Sequence, residues 1–154
     1  MTEHHTVKAF DTDLQDLARM VAEMGGLAEK QVADAVDALA RRDTTLAQRV
    51  TAADVHIDTL QHEIEEKAVL TIARRQPMAV DLREIVSALR ISNDLERIGD
   101  LAKNIAKRVI ALNAEFPPPK LIRGVEHMTD LVQGQVKAVL DAYAAHDLPS
   151  AIAV

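Results

Sequence analysis

The chain has 154 residues, a net charge of −6 and no cysteine, which rules out disulfides and thiolate metal sites and argues against a broad nucleic-acid-binding surface. Aromatic residues make up only 2% of the sequence, too few for a typical β-sheet core. No apolar run approaches the roughly 18 residues that cross a membrane, and the polar N-terminus does not resemble a signal peptide. We therefore expect an all-α, cytoplasmic protein.

Helix-capping and helix-stopping residues divide the chain into four long amphipathic segments and the start of a fifth. Asp43 or Thr44 is the expected cap of the second helix, Pro77 ends that helix, prolines at 117–119 form a linker, and Asp147 precedes a first-turn proline. The predicted helices cover residues 12–42, 44–75, 80–113, 120–146 and 149–154. Short turns make neighbouring long helices antiparallel, so the first three helices are predicted to form a three-helix bundle.

The fourth segment repeats part of the first when the chain is shifted by 104 positions. Ten of the 27 residues from 24 to 50 are identical to their shifted partners, and Asp43 falls on Asp147 at the turn. Helix 4 is therefore expected to begin a second copy of the three-helix unit, which stops early in its second helix. Its apolar face should be covered by another copy of the chain or by the first bundle; that face comprises Met128, Leu131, Val132, Val136, Val139 and Leu140.

Two pairs of acidic residues are placed to meet between helices 2 and 3. Asp54 and Asp58 are four residues apart, as are Glu96 and Asp100, so each pair shares one helix face. Asp58 and Glu96 each lie 19 residues from Pro77, and Asp54 and Asp100 each lie 23 residues from it. A hairpin that turns at Pro77 therefore brings all four carboxylates to one level.

The acidic pairs have two interpretations. Converging carboxylates repel one another, and oxygen ligands suit iron, manganese, magnesium or calcium, with Asn104 or Glu29 as a possible further ligand. Alternatively, the acidic residues form an ordinary solvated face that Arg97 and Lys103 neutralise. The spacing alone does not separate the two.

Several strings in the sequence resemble the PhoU family of phosphate-uptake regulators. They are MGGL at 24–27, RQPMAVDLR at 75–83 and LERIGD at 95–100, together with Asp54 and Asp58. The likeness extends from about residue 10 to residue 154 and implies two tandem three-helix bundles. We expect the first bundle at 10–115, a proline linker at 116–119 and the incomplete second bundle at 120–154.

The resemblance also implies a function and a site. PhoU-like proteins are negative regulators of phosphate uptake and phosphate-starvation signalling, thought to bridge the PstB ATPase of the phosphate transporter and the sensor kinase PhoR, and to reach the membrane only through these partners. Dimers are common, and some members hold multinuclear iron or zinc clusters on their acidic motifs. Carried over residue by residue, the motifs of the first bundle match Asp54, Asp58, Glu96 and Asp100.

Other residues keep alternative interpretations. Asp81 near the start of helix 3 is suited to stabilising the helix dipole, and Asp81 and Arg83 are also possible partner contacts at the bundle end. A metalloenzyme would use the same carboxylates, although no general base is evident. A His-phosphotransfer bundle would use His56, His62 or His127. We expect a regulatory adaptor rather than an enzyme.

Overall fold

The structure is a computed structural model, which describes residues 2–112 and 115–154, with side chains from residue 10 onward. Within these ranges the chain is all-α. The helices are α1 (Thr2–Arg41), α2 (Thr44–Arg75), α3 (Ala79–Ala111), α4 (Pro119–Ala144) and α5 (Leu148–Ala153). The first three pack against one another, α4 packs on α1, and α5 packs on α4. The expected antiparallel three-helix bundle is confirmed.

The helix bounds differ from the predicted ones by more than one residue at three places. Helix α1 begins ten residues before the predicted start at residue 12, and Phe10 and Leu14 extend its apolar face onto the core. Helix α4 ends two residues early, because His146 adopts a left-handed φ of 52°. Helix α3 ends at Ala111, and the predicted end at Asn113 lies outside the described residues. The proposed domain boundaries stay a prediction.

The sequence repeat has a structural counterpart in two matching turns. After α1, Arg42 has a φ of 58° and the Asp43 amide donates to the Ala38 carbonyl at 2.9 Å. After α4, His146 is again left-handed, and the amide of Asp147 donates to the carbonyl of Ala142, also at 2.9 Å. This is the Schellman arrangement that closes helix C-termini. Each aspartate then caps the next helix, accepting from Leu46 N at 2.8 Å or Ser150 N at 3.2 Å.

The interior of the three-helix bundle is divided into two apolar clusters. One includes Leu17 to Ala28 of α1, the C-terminal part of α2 from Ile57 onward, and α3 as far as Leu95. The other includes Ala35 and Ala38, the start of α2 as far as Val50, and α3 from Ala102 onward. Between the two clusters each helix contributes one buried residue that belongs to neither, namely Gln31, Asp54 and Gly99. We call these three residues the polar layer.

Helix α4 folds back on the first bundle, but with a different face from the predicted one. Its buried residues are Ile122, Thr129 and Ala142, and Leu140 packs against the α1 cluster. Four members of the predicted face are exposed: Met128, Leu131, Val132 and Val139. The side of α4 that meets α1 is the one bearing Thr129 and Leu140, so the first bundle leaves most of the predicted face uncovered within the described residues. Coverage of this face by another copy of the chain stays a prediction.

Candidate functional site: an acidic cluster with an internal lysine

The site is built on the polar layer, where Gly99 lets the helices approach closely. A Cβ added to Gly99 would lie 2.9 Å from Cδ1 of Ile57 and 3.1 Å from Oε1 of Gln31. The Gln31 side chain is almost completely buried, and neither its oxygen nor its nitrogen has a hydrogen-bond partner among the described residues. Such an unpaired buried amide is costly, which marks this level as unlike the apolar core on either side.

Asp54 and Lys103 form the centre of the site. The Asp54 side chain is only 4% exposed, and one of its oxygens accepts a hydrogen bond from the Lys103 ammonium. The same ammonium lies 3.4 Å from Oδ1 of Asp100, one turn earlier on α3. These contacts, the Asp54 hydrogen bond above all, raise the pKa of Lys103 above its ordinary value. The ammonium therefore stays charged and holds α2 to α3.

Glu96 shows that all four predicted carboxylates interact. Its pKa is raised, first by partial burial and then by the negative charges of Asp100, Asp58 and Asp54, while Lys103 acts in the opposite direction. Like charges nearby disfavour ionisation of a carboxyl group. The symmetric spacing about Pro77 thus did bring the two acidic pairs together. We call Asp54, Asp58, Glu96, Asp100 and Lys103 the acidic cluster.

The family resemblance implies a metal ion at the acidic cluster. Within the described part of the chain, no three carboxylate or imidazole side chains are close enough to hold one metal ion. In addition, Asp54, the most buried of the four carboxylates, already forms a hydrogen-bonded ion pair with the Lys103 ammonium. As arranged, these residues do not form a metal site, and iron or zinc binding at Asp54, Asp58, Glu96 and Asp100 stays a prediction.

The two further ligand candidates are Glu29 on α1 and Asn104 on α3. The backbone oxygen of Glu29 accepts a hydrogen bond from Nε2 of Gln133 on α4 at 3.3 Å. The pKa of Lys137 is raised, first by its hydrogen bond to Asp141 and also by the charge of Glu29. Glu29 therefore acts toward α4, whereas Asn104 is an exposed residue of α3.

A second feature, an open cleft of about 570 Å³, lies at the other end of α3. Arg83 and Arg90 of α3 line one side, and Tyr143 and His146 from the end of α4 line the other. Asp81 is half-buried in the first turn of α3, where its charge suits the helix dipole. The cleft thus contains Arg83 from the predicted partner-binding pair.

The three histidines singled out in the sequence do not meet. His62 is 3.7 Å from Glu65 on the same helix, His127 is exposed on α4, and His56 lines a separate cavity between α1 and α2. The phosphotransfer alternative, which requires only one exposed histidine, stays a prediction.

Sequence reasoning missed the central role of Lys103 and did not notice Gln31. Gln31 does carry a signal, because it is a polar residue at a core position between Ala28 and Ala35 of α1. The sequence identified Lys103 only as a residue that could neutralise the acidic residues, because spacing alone does not show which carboxylate its long, flexible side chain contacts.

Fold and site together define a class: an all-α helical-bundle protein with a lysine-containing acidic cluster between two helices of its first bundle. The family model described as "PhoU domain" matches residues 21–109. The chain therefore belongs to the PhoU family.

Individual relatives agree with the family match. A "Phosphate-specific transport system accessory protein PhoU homolog" of Caulobacter vibrioides is 56% identical over the whole chain, which spans 66% of that relative. The homolog of the same name in Rhizobium meliloti is 53% identical over 94% of the chain and 61% of its own length. The crystal structure of PhoU from Pseudomonas aeruginosa superposes with a TM-score of 0.88 at 43% identity, covering 94% of this chain and 69% of that one.

The chain thus spans about two thirds of the length of the curated relatives that it matches. Among the described residues, none of the helices combines the length and the apolar character needed to cross a bilayer.

Proposed function

We propose that this chain acts in a cytoplasmic negative regulator of phosphate uptake and phosphate-starvation signalling. It works by binding partners rather than by catalysis, as an adaptor between the ATPase subunit of a phosphate transporter (PstB-like) and a sensor kinase (PhoR-like). Support comes from the relatives, which carry the name of an accessory protein of the phosphate-specific transport system. Contact with the membrane is made only through these partners.

The observation that best supports an adaptor is the exposed end of α3 beside the cleft. Met78 and Val80 are 78% and 76% exposed, and Arg83 and Arg90 have no ion-pair partner among the described residues. Apolar side chains next to unpaired arginines are typical of protein-binding surfaces. The expected partner segment presents apolar side chains flanked by carboxylates.

A pull-down with purified PstB-like and PhoR-like proteins tests this surface. The Met78→Ser/Val80→Ser and Arg83→Glu variants should lose capture of at least one of the two partners. The control is Leu101→Ser, which removes another exposed apolar side chain of α3 (63% exposed) away from the cleft. Undiminished capture by both cleft variants would show that the partners bind elsewhere, and failure of the unmodified protein to capture either partner would refute the adaptor role.

We also propose that the protein forms a homodimer through the exposed apolar face of α4. The residues of this face are between 41% and 62% exposed: Leu121, Met128, Leu131, Val132 and Val139. A contiguous exposed apolar face of this kind favours association. Sedimentation should give a dimer that Met128→Glu/Leu131→Glu converts to a monomer, while Leu101→Glu leaves it intact. A monomer at all concentrations would refute the proposal.

A further inference from the structure

We propose that the Lys103 ammonium is the resident cation of the acidic cluster, and that it keeps divalent metal ions out. The proposal does not depend on the adaptor role, because it concerns only how this chain neutralises its own carboxylates. It replaces the metal that the family resemblance implies with a charge supplied by the sequence.

Asp54 lies in the polar layer with only 4% of its side chain exposed, so it has little access to water or to ions from solution. A buried carboxylate needs a partner of opposite charge or must give up its own charge. Lys103 reaches it from the neighbouring helix with its ammonium in hydrogen-bond contact.

Lys103 contacts Asp54 on α2 and also lies 3.4 Å from Asp100 on its own helix. A cation held between two carboxylates on different helices occupies the place in which a bridging metal ion would lie. An ammonium donates to carboxylate oxygens but adds no ligand for a metal, so the two cations exclude each other.

One ammonium does not neutralise four carboxylates. Lys103 forms ion pairs with Asp54 and Asp100, whereas Asp58 and Glu96 have no ion-pair partner among the described residues. Arg97, the other nearby basic residue named by the sequence, is exposed and forms no ion pair with the cluster among the described residues. The cluster therefore retains a negative potential, and removal of Lys103 should open it to a small hard cation.

The test compares Lys103→Met with Lys103→Arg and with Lys107→Met, which removes an exposed lysine one turn further along α3. Metal-free proteins are titrated with Mn²⁺, Zn²⁺ and anaerobic Fe²⁺ by calorimetry, and metal content is measured after dialysis. Lys103→Met should bind at least one of these ions on the order of 100-fold more tightly than the unmodified protein. The gain should disappear in Lys103→Met/Asp54→Asn, and the two control variants should behave like the unmodified protein.

Two results overturn the proposal. One is metal binding by the unmodified protein as tight as that by Lys103→Met, which would mean that the lysine does not compete. The other is no binding by either protein, which would mean that the lysine excludes nothing.

Thermal unfolding covers the case in which Lys103→Met does not fold. If the missing cation is the cause, Lys103→Met/Asp54→Asn should regain folding, because it removes the buried charge together with its partner. A double variant that also fails to fold would overturn the assignment.

Discussion

Nε2 of Gln133 donates a hydrogen bond to the backbone oxygen of Glu29 at 3.3 Å, and the two residues are separated by 104 positions, the spacing of the internal repeat. They are therefore equivalent positions of the two copies. Helices α1 and α4 therefore contact each other at corresponding positions of the repeat.

The repeat also explains the exposed face of α4. Leu17, Met24, Ala28 and Ala35 are core residues of α1, covered by α2 and α3. Shifted by the repeat spacing, they become four exposed residues of α4: Leu121, Met128, Val132 and Val139. The exposed face is therefore the counterpart of the α1 face that requires two covering helices.

The glycine pair in α1 provides a matched test of the α1–α4 contact. A Cβ at Gly25 would lie 2.4 Å from Cδ1 of Leu140, whereas a Cβ at Gly26 meets nothing within 4 Å. Gly26→Ala should raise the free energy of unfolding by about 1 kcal/mol, the helix-propensity gain of alanine over glycine. Gly25→Ala should gain nothing, because moving Leu140 out of its rotamer costs about as much.

Urea denaturation of the two single variants measures this difference. Equal stabilisation by both substitutions would contradict the close contact between Gly25 and Leu140. Gly124→Ala, at a glycine of α4 with open space around it, controls for the helix-propensity gain in the other helix.

The polar layer predicts that Gln31 weakens the bundle. Its amide is buried and has no partner among the described residues. Gln31→Met keeps the length of the side chain and removes the unpaired groups, so it should stabilise the protein by about 1–3 kcal/mol. Gln135→Met, at the exposed equivalent position of α4, should have little effect. A loss of stability on Gln31→Met would mean that the amide has a partner, such as a bound water molecule.

The fold was largely predictable because its signals are local. The bounds of α2 follow from the cap at Asp43 and the stop at Pro77, and the same proline sets the register that gathers the acidic pairs. The docking face of α4 was not predictable, because α4 carries apolar residues on two sides and only tertiary contact selects between them. The ion pair between Lys103 and Asp54 was not predictable either, because Asp54 becomes buried only when the helices pack together.

Glu96 predicts a pH dependence of stability. Its pKa in the folded protein is raised by burial and by the neighbouring carboxylates, so folding favours its neutral form. The associated stability is present below the ordinary glutamate pKa of 4.5 and is lost as the pH rises through the folded value. Glu96→Gln should therefore be more stable than the unmodified protein at neutral pH, and the gap should close on acidification.

Urea denaturation at a series of pH values measures the gap. Glu23→Gln, at an exposed glutamate of α1, is the control and should show no comparable gap at any pH. A Glu96→Gln variant that is no more stable at neutral pH, or a gap that stays constant on acidification, would contradict the repulsion inferred within the acidic cluster.

Tyr143 offers a direct optical test of how the end of α4 is packed. It is the only tyrosine and the chain has no tryptophan, so the ultraviolet absorbance of its phenolate can be assigned without ambiguity. Its pKa is raised above the ordinary 10.0, chiefly by burial and secondly by the negative charge of Glu84 on α3. Glu84→Gln should lower the pKa only part of the way toward 10.0, because burial, the larger cause, remains.

Folding favours the neutral phenol of Tyr143. The stability that this preference contributes is therefore present below the ordinary tyrosine pKa and is lost as the pH rises through the pKa of the folded protein. A titration of the unmodified protein at the ordinary value would mean that α4 does not hold Tyr143 against the bundle in solution.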